Sequence, residues 1–337
     1  MLASLYQNPF SHGSLANLSI LITGGAGFIG SHIAEYLLIH GAKKVRVIDD
    51  LSTGFLENIT PFLKYPAFEF VEGDIRHFPT CLEVCKGIDL ICHQAAIGSV
   101  PRSIENPTYT TSVNVDGFVN MVKSAQEQGV KRVVYASSSS VYGDEQTLPK
   151  QESKIGNPLS PYAVSKLTNE LYARVFAQVY GMEFIGLRYF NVFGPRQSPK
   201  GAYAAVVPLF IEGLLSQKAI YIDGKGEQTR DFTFVANAVQ ANVLALLTQD
   251  TSALNQVYNV AVGEQFSVND LFNMLADLLG SQQRPIYRNP RSGDVLVSLA
   301  DISKAVNFLQ YRPQVKFADG LQLTLAHFSQ VEASSIS

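Results

Sequence analysis

Tyr162 and Lys166 are the two residues whose types and spacing most directly suggest chemistry. Residues four apart on a helix share a face, so the phenol and the ammonium would lie side by side. A free tyrosine titrates near pH ~10, and a cation about 4 Å away at an effective dielectric of about 20 lowers that pKa by roughly three units. The pair therefore predicts a tyrosine that acts as a base near neutral pH, although an ordinary surface helix can carry the same spacing.

Short apolar, β-rich runs that alternate with helical segments must position this pair. The runs lie at 18–23, 44–49, 68–72, 88–93, 132–137 and 183–189. Their alternation is typical of a parallel sheet with helices on both faces, and an unbroken apolar run such as 133–136 suits a strand buried on both sides. Ser160 and Pro161 predict the start of a helix that Gly181 ends, which places Tyr162 in its first turn.

A glycine-rich turn, Gly24-x-x-Gly27-x-x-Gly30, follows the first predicted strand and precedes a helix predicted from Ser31. Glycines at this spacing let a diphosphate approach the backbone at the positive start of a helix. The location of the turn between the first strand and the first helix predicts a dinucleotide cofactor site.

Asp49 and Asp50 end the second predicted strand, about 20 residues past the glycines, where a carboxylate can accept hydrogen bonds from the adenosine ribose. The same charge would repel a 2′-phosphate, which favours NAD over NADP. One of the two could instead only begin a turn before Ser52-Thr53-Gly54. Asp74, after the third strand, suits either the adenine end of the cofactor or a helix cap.

Four serines, Ser137 to Ser140, stand at the end of the fifth predicted strand. The carboxyl ends of parallel strands open onto the ligand crevice, so a hydroxyl there can hydrogen-bond a substrate oxygen. Serines in such a run are also common turn formers.

After Gly194 the prolines and glycines become denser, which indicates a smaller lobe added to the first domain. A helix-then-strand pattern at 232–262 predicts that the chain returns to the main sheet before it finishes in that lobe. We therefore predict an α/β fold, a Rossmann-type doubly wound parallel sheet with a smaller α/β substrate lobe toward the C-terminus. The expected domains are 18–193 plus 233–262 and 194–232 plus 263–333.

The composition argues against several other classes of protein. The 337 residues are 46% hydrophobic and 16% charged with a net charge of −3, which describes a globular chain without a nucleic-acid surface. Because no run reaches ~18 apolar residues and no secretory signal is seen, we expect no membrane span and a cytoplasmic protein. Cys81, Cys85 and Cys92 are odd in number and fit no common zinc spacing, so we predict neither a disulfide nor a metal.

Together the glycine turn, the serine run and Tyr162-x-x-x-Lys166 resemble the extended short-chain dehydrogenase/reductase family, and within it the UDP-hexose 4-epimerases. The resemblance covers Leu18 to Phe328. Further matching motifs are His93-Gln94-Ala95-Ala96, the run from Leu187 to Pro195, Arg230-Asp231-Phe232 and Arg291-Ser292-Gly293-Asp294.

The resemblance implies a role for each matching residue. Tyr162 is the base, Lys166 is its electrostatic partner and a ligand of the nicotinamide ribose, and Ser138 is the catalytic hydroxyl. The implied NAD site comprises Gly24, Gly27, Phe28, Ile29, Gly30, Asp49, Asp50, Ser52, Gly54, Asp74, Ile75, Gln94, Ala95, Ala96, Ser137, Tyr162, Lys166, Tyr189 and Val192. The implied UDP-sugar site comprises Ser99, Arg102, Ser138, Ser139, Tyr162, Asn191, Ala205, Val206, Tyr221, Arg230, Arg291, Asp294 and Ser298.

The implied reaction is epimerisation at C4 of the sugar. Tyr162 takes the proton of the 4-hydroxyl while a hydride passes from C4 to tightly held NAD, and Ser138 hydrogen-bonds the same oxygen. Arg230 and Arg291 hold the UDP diphosphate while the 4-keto sugar turns about its anomeric oxygen. The hydride then returns to the opposite face, and the cofactor ends unchanged.

Ser298 bears on the identity of the sugar. Members of the family restricted to plain hexoses typically have a tyrosine here, four residues after the aspartate of Arg-x-Gly-Asp. A small side chain leaves room for a 2-acetamido group, so the resemblance points to UDP-N-acetylglucosamine and UDP-N-acetylgalactosamine. Space permits a substrate without requiring it, so plain hexoses stay open, as do uronic acids beside Arg102.

Three other functions fit these motifs less well than epimerisation does. A nucleotide-sugar 4,6-dehydratase would carry Asp-Glu where this chain has Ser139 and Ser140, so the elimination lacks obvious proton carriers. UDP-glucuronate decarboxylation is a further minority interpretation. A non-catalytic protein that binds NAD and a nucleotide sugar would be expected to lose part of the Ser138, Tyr162 and Lys166 triad.

The resemblance also implies a homodimer, formed through helices near 113–128 and 167–180. No role is predicted for residues 1–17.

Overall fold

Seven parallel strands form the main sheet of this chain. The computed structural model describes residues 5–11, 13–200, 204–290 and 296–336, with side chains described as far as residue 330. The strands are β1 Ser19–Thr23, β2 Lys44–Asp49, β3 Phe68–Glu72, β4 Leu90–His93, β5 Arg132–Ser138, β6 Glu183–Tyr189, β7 Val192–Phe193, β8 Tyr221–Asp223, β9 Thr229–Arg230, β10 Thr233–Phe234, β11 Gln256–Val260, β12 Phe266–Ser267 and β13 Ile286–Arg288. The main sheet has the order β11-β6-β5-β4-β1-β2-β3.

Helices connect these strands. They are α1 Phe28–Ile39, α2 Phe78–Val84, α3 Val100–Glu105, α4 Pro107–Thr111, α5 Gly117–Glu127, α6 Pro161–Tyr180, α7 Val206–Leu215, α8 Val235–Leu247, α9 Val268–Leu279, α10 Ser303–Leu309 and α11 Phe317–Ile336. A π-helical turn, Ser112–Asp116, joins α4 to α5. The predicted Rossmann-type doubly wound sheet is confirmed.

Alternate residues of the central strands supply two apolar cores, one on each face of the sheet. Ile20 and Ile22 of β1 pack with α1 and α8 in one core. Leu21 of the same strand packs with α2, α5 and α6 in the other. Because both faces are covered, β1 is buried along its whole length, as its unbroken apolar sequence predicts.

All six predicted strands are present, with small differences at their ends. The bounds of β2, β3 and β6 agree with the prediction, whereas β1 and β4 begin one and two residues later. β5 continues through Ser138 because that residue still pairs with Tyr189 of β6. Helix α1 begins at Phe28 rather than at the predicted Ser31, since Gly27 is its N-cap and the glycine turn forms its first turn.

The later part of the chain combines short strand pairs with helices. β7 pairs with β10, β8 with β13, and β9 with β12. Between them, α8 and β11 return the chain to the main sheet, where β11 pairs with β6. The predicted helix-then-strand segment is therefore confirmed.

Local capping signals fix both ends of α6. The Ser160 side chain accepts a hydrogen bond from the Ala163 backbone, Pro161 is the first helical residue, and Gly181 ends the helix with φ +67°. The helix thus begins one residue before Tyr162, as predicted.

Two further findings bear on the kind of protein. In the described part of the chain, no helix combines the length and apolar character that crossing a bilayer requires. Cys81, Cys85 and Cys92 are buried free thiols.

Candidate active site

Lys166 is fixed between α6 and the main sheet. Its side chain is 2% exposed, and Nζ donates a hydrogen bond of 2.9 Å to the Ala136 carbonyl of β5. The same nitrogen lies 5.9 Å from the centroid of the Tyr162 ring. The predicted pair therefore shares one side of the helix, at the end where β5 terminates.

Ser138 completes the group from the end of β5. Its hydroxyl lies close enough to the Tyr162 phenol to lower the pKa of that phenol, which favours the phenolate. The same oxygen accepts hydrogen bonds from the Ser140 backbone at 3.1 Å and the Ser140 hydroxyl at 2.9 Å. The start of the serine run therefore forms a turn that holds the Ser138 hydroxyl in place.

The electrostatics of Tyr162 differ from the expectation that Lys166 alone would bring the phenol near neutrality. Burial raises the pKa of Tyr162, and the Ser138 hydrogen bond opposes that rise. Burial also lowers the pKa of Lys166 to about 8. The expectation was wrong because burial of the phenol outweighs the groups that favour its ionised form, while the Lys166 ammonium donates its hydrogen bond to the Ala136 carbonyl.

A cavity of about 350 Å³ runs along the carboxyl edge of the sheet past these residues. Seventeen of the residues predicted to bind NAD lie in its wall: Gly24, Gly27, Phe28, Ile29, Gly30, Asp49, Asp50, Ser52, Asp74, Ile75, Gln94, Ala95, Ala96, Ser137, Tyr162, Lys166 and Tyr189. Two others do not. Gly54 packs behind the Asp49 carboxylate, and Val192 pairs with Thr233 in β7.

The glycine turn shapes one end of this cavity. Gly24 has φ +67°, and a Cβ there would lie 2.7 Å from the Ala95 backbone nitrogen. A Cβ on Gly30 would collide with the Gly24 carbonyl. Glycine is therefore required at both positions for the turn to close against β4, which leaves the start of α1 facing the cavity.

The acidic residues at the adenosine end are held by their own backbone. The two Asp49 oxygens accept hydrogen bonds of 2.9 Å from Ala26 and Leu51, while burial raises the pKa of this carboxyl. Asp50 accepts from the Ser52 backbone at 3.0 Å, so each aspartate both holds a turn and lines the cavity. Asp74 is not the helix cap that was considered, because His77 is the N-cap of α2.

Asn242 was not predicted from the sequence, and it contacts two residues that line the cavity. Asn242 of α8 donates to the Tyr189 hydroxyl at 2.7 Å and accepts from Gln94 at 3.1 Å, while Tyr189 donates to Gln94 at 3.1 Å. The three side chains close a ring of hydrogen bonds. A buried asparagine in an otherwise apolar helix was the available signal.

Glu170 and Arg188 were also not predicted as site residues. Ser137 donates a hydrogen bond of 2.6 Å to Glu170, which also forms a buried ion pair with Arg188 at 2.8 Å. Glu170 lies four residues beyond Lys166 and therefore on the same face of α6. On this face the catalytic pair is followed by a buried carboxylate that is bonded to Ser137 and Arg188.

His93 belongs to a motif named above but was given no role, and it lies close enough to Lys166 to feel its charge. Its Nδ1 is 3.0 Å from the Thr23 hydroxyl, and burial and then the Lys166 charge lower the pKa of this histidine to about 3. The imidazole is therefore neutral beside the ammonium.

A second cavity, of about 330 Å³, lies against the shorter elements. Of the residues predicted to bind UDP-sugar, Asn191, Val206, Tyr221 and Arg230 line it. Ala204 lines it in place of the predicted neighbour Ala205, and Arg288, which was not predicted, adds a second cation. Arg291 and Asp294 lie outside the described residues.

The remaining predicted substrate residues do not line this second cavity. Ser99 caps α3 by accepting from the Arg102 backbone at 3.4 Å, and it has φ +96°, a strained value for a non-glycine residue. Ser138 ends β5, and Ser139 begins the turn that follows it. The Ser298 backbone donates a hydrogen bond of 3.1 Å to the Thr229 carbonyl, which places Ser298 next to Arg230.

Asp231 ties the main sheet to the segment around Ser298. Its fully buried carboxylate accepts hydrogen bonds from Val262 and Gly263 at 3.0 Å and from Ala300 at 3.3 Å. Burial raises the pKa of Asp231 to about 6.

Known proteins are similar to this chain in sequence and in fold. Residues 20–261 match the family model described as "NAD dependent epimerase/dehydratase family". A UDP-glucose 4-epimerase of Mycolicibacterium smegmatis is 37% identical over 310 residues, which cover 91% of this chain and 97% of that protein.

Two solved structures are similarly close. A UDP-N-acetylglucosamine 4-epimerase from Methanobrevibacter ruminantium, in complex with UDP-N-acetylmuramic acid, is 36% identical with a TM-score of 0.88 and covers 94% of this chain and 99% of its own. A UDP-glucuronic acid 4-epimerase from Bacillus cereus, in complex with UDP-glucuronic acid and NAD, is 32% identical with a TM-score of 0.87. The match covers 93% of this chain and 100% of that one.

The predicted family and the predicted cofactor are both confirmed by these matches. The cavity fits NAD by its own features, since the glycine turn faces it at one end and the aspartates of β2 line it. By sequence, fold and site, the chain belongs to the NAD-dependent epimerase/dehydratase family.

Proposed function

We propose that this protein catalyses the reversible C4 epimerisation of a UDP-sugar. The observation that carries the proposal is the grouping of Tyr162, the Ser138 hydroxyl and the fixed Lys166 at the wall of the cofactor cavity. A hydroxyl that stabilises a phenolate is suited to a base that removes the proton of a sugar hydroxyl. The relatives named above are 4-epimerases of UDP-sugars.

In the proposed mechanism, Tyr162 accepts the proton of the sugar 4-hydroxyl. Ser138 donates to the oxygen that develops negative charge, and the Lys166 charge stabilises the phenolate before transfer. Bound NAD supplies the hydride acceptor for C4 and, once the sugar has turned, the donor for its opposite face. Tyr162 then returns the proton to the same oxygen.

Arg230 and Arg288 line the second cavity and could hold a diphosphate there while the hexose turns, with Arg288 oriented by its ion pair to Asp223 in the same wall. Tyr221 lies in the same wall and Arg288 stacks over its ring at 5.4 Å. We propose that the nucleotide is held here firmly and that the sugar extends toward Tyr162.

Epimerisation is favoured over dehydration by the groups around Ser138. A dehydratase needs an acid and a base next to the catalytic hydroxyl, whereas Ser140 only donates to Ser138. The buried carboxylate nearby, Glu170, is engaged by Ser137 and Arg188. Asp144 and Glu145 do not replace it, because the Asp144 carboxylate accepts from the Asn157 backbone and the Glu145 carboxylate accepts from the Thr147 backbone.

For the sugar we propose N-acetylglucosamine and N-acetylgalactosamine. The support is the small side chain of Ser298, which lies next to Arg230, and the likeness to a UDP-N-acetylglucosamine 4-epimerase. A plain hexose and a hexuronate are the competing substrates. The relatives include enzymes named for each of them.

We further propose that the protein is a homodimer that pairs through α6. Val164, Leu171, Val175 and Val179 lie along one side of this helix and are each about half exposed or more, from 49% to 65%. A contiguous apolar helix face of this kind is typical of a subunit interface. The division into a cofactor domain at 18–193 plus 233–262 and a substrate lobe is also a proposal.

The decisive experiment incubates the purified protein separately with UDP-N-acetylglucosamine, UDP-glucose and UDP-glucuronate, and identifies products by anion-exchange chromatography. We expect UDP-N-acetylgalactosamine at equilibrium and the same mixture from the reverse direction. A 4-keto-6-deoxy product would reassign the protein to dehydration. Binding without turnover of any of the three would identify a non-catalytic binding protein.

A further inference from the structure

The segment that carries Asn191 is held in an unfavourable backbone conformation. Asn191 has φ +35° and Arg196 has φ +65°, values that non-glycine residues rarely adopt, and Gly194 between them has φ +154°. Such a turn persists only when neighbouring structure holds it. Because Asn191 lines the proposed nucleotide cavity, whatever holds the turn also fixes a wall of that cavity.

Helix α1 holds the turn at consecutive points. His32 Nε2 lies 2.9 Å from the Pro195 carbonyl, and Arg196 forms an ion pair of 2.6 Å with Glu35. Arg196 also lies 3.4 Å from the Ser31 hydroxyl. Since α1 begins at the glycine turn, these contacts link the cofactor helix to the nucleotide cavity.

Tyr6, in the segment before β1, completes this connection. Its side chain is fully buried, and its hydroxyl lies 2.8 Å from His32 Nδ1. The Pro195 carbonyl can only accept a hydrogen bond, so His32 must carry its proton on Nε2 and accept the Tyr6 proton on Nδ1. Burial lowers the pKa of His32 well below its usual value, which keeps the ring neutral and able to do both.

We propose that Tyr6 is a positioning residue for nucleotide binding, which selects the His32 tautomer and thereby holds the turn that carries Asn191. This rests on the proposed use of the second cavity for UDP. Without the Tyr6 hydroxyl, Nδ1 loses the one donor that the described residues give it. The opposite tautomer then becomes accessible and leaves the Pro195 carbonyl without its hydrogen bond.

The same aromatic cluster offers a matched control. The Tyr36 hydroxyl accepts from the Phe10 backbone at 2.8 Å, and its ring stacks on Phe10 at 4.8 Å. Tyr36→Phe therefore removes one hydroxyl from the packing of the same segment on α1 without touching His32 or Pro195.

The test compares Tyr6→Phe, Tyr36→Phe and the parent by calorimetric binding of UDP, by NAD content and by ¹⁵N NMR of protein labelled at histidine. We expect the parent to show His32 protonated at Nε2 and Tyr6→Phe to show mixed tautomers. UDP binding should weaken by about fivefold in Tyr6→Phe, the effect of about one lost hydrogen bond, with NAD content unchanged. Tyr36→Phe should bind UDP like the parent.

An Nδ1-protonated His32 in the parent overturns the proposal, whether or not either variant folds. Equal UDP affinity in Tyr6→Phe and the parent overturns it as well, as does equal weakening in both variants. A parent that binds no UDP at all rejects the proposed function instead, and the tautomer measurement still decides whether Tyr6 sets the state of His32.

Discussion

Asn242 donates a hydrogen bond of 2.7 Å to the Tyr189 hydroxyl and so joins helix α8 to the wall of the cofactor cavity. Asn242 is fully buried and also donates to the Ala238 carbonyl at 2.7 Å and accepts from Gln94 at 3.1 Å. Its polar atoms are thus all engaged, and they fix the two side chains that face the cofactor.

Asn242→Leu should reduce NAD retention more than its loss of stability alone would explain. The apolar side chain leaves Tyr189 without its donor and Gln94 without its acceptor, each worth about 1–3 kcal/mol when buried. Both side chains can then turn into the cavity. We expect at least a severalfold lower NAD content after gel filtration.

Asn237→Leu is the control for this prediction. Asn237 lies on the same helix and is equally buried, but it bonds to Val315 and Gln314 rather than to the cavity wall. It should lower the melting temperature while NAD stays bound. Equal NAD loss in both variants would show that the effect is general destabilisation of α8.

Tyr162→Phe should abolish most of the turnover while the site keeps its shape. Removal of a general base typically costs 10²- to 10⁴-fold in rate, and we expect a fall of about 10³-fold in kcat. The UDP-sugar dissociation constant should change by less than about twofold, because the ring remains and the charges of the second cavity are untouched. Single-turnover and binding measurements check both expectations.

Tyr180→Phe, at the far exposed end of α6, serves as its control and should behave like the parent. If Tyr162→Phe turned over at the parent rate, Tyr162 would not be the base.

Lys166→Met should stabilise the fold and impair the reaction. Burial lowers the pKa of Lys166 from 10.5 to about 8, and Nζ donates a hydrogen bond to the Ala136 carbonyl. Below about pH 8 the lysine is charged in both the folded and unfolded states, so the folded protein bears the full cost of burying the charge. After subtracting the lost hydrogen bond, we expect a gain of about 2 kcal/mol for the variant near pH 7.

The sign of the pH dependence follows from the same shift. Between about pH 8 and pH 10.5 the unfolded parent binds more protons than the folded one, so the stability of the parent rises with pH. The advantage of Lys166→Met should therefore shrink across that interval. Urea unfolding at several pH values tests it, with Lys123→Met, at a partly exposed position of α5, as a control that changes stability by less than about 0.5 kcal/mol. An advantage that grew with pH would contradict the assignment.

Much of the fold was predictable because its signals are local. Ser160, Pro161 and Gly181 determine the ends of α6, and the glycines from Gly24 to Gly30 determine the cofactor turn. Asn242 was not predictable in the same way, since its partners lie about 150 and 50 residues away in the sequence and meet only when α8 packs on the sheet.

The same limit explains two other differences. The direction of the Tyr162 pKa shift depends on burial and on where the Lys166 ammonium points, and neither is encoded in a four-residue spacing. The proposed role of Tyr6 was not predictable because it depends on a hydrogen bond to His32. In the sequence, His32 is only one of several buried positions in a helix.

Ser298→Tyr should switch the sugar preference toward plain hexoses, if Ser298 leaves the space for a 2-acetamido group. Ser298 is partly buried, and its backbone donates a hydrogen bond to the Thr229 carbonyl, which places Ser298 near Arg230 of the proposed nucleotide cavity. We expect kcat/KM for UDP-N-acetylglucosamine to fall by roughly 10- to 200-fold, the range for one steric change in a pocket, and kcat/KM for UDP-glucose to change by less than about threefold. Ser216→Tyr, exposed at the end of α7, adds the same bulk elsewhere and should alter neither value. Equal losses for both substrates would mean that Ser298 holds the backbone near Arg230 rather than the space that distinguishes the two sugars.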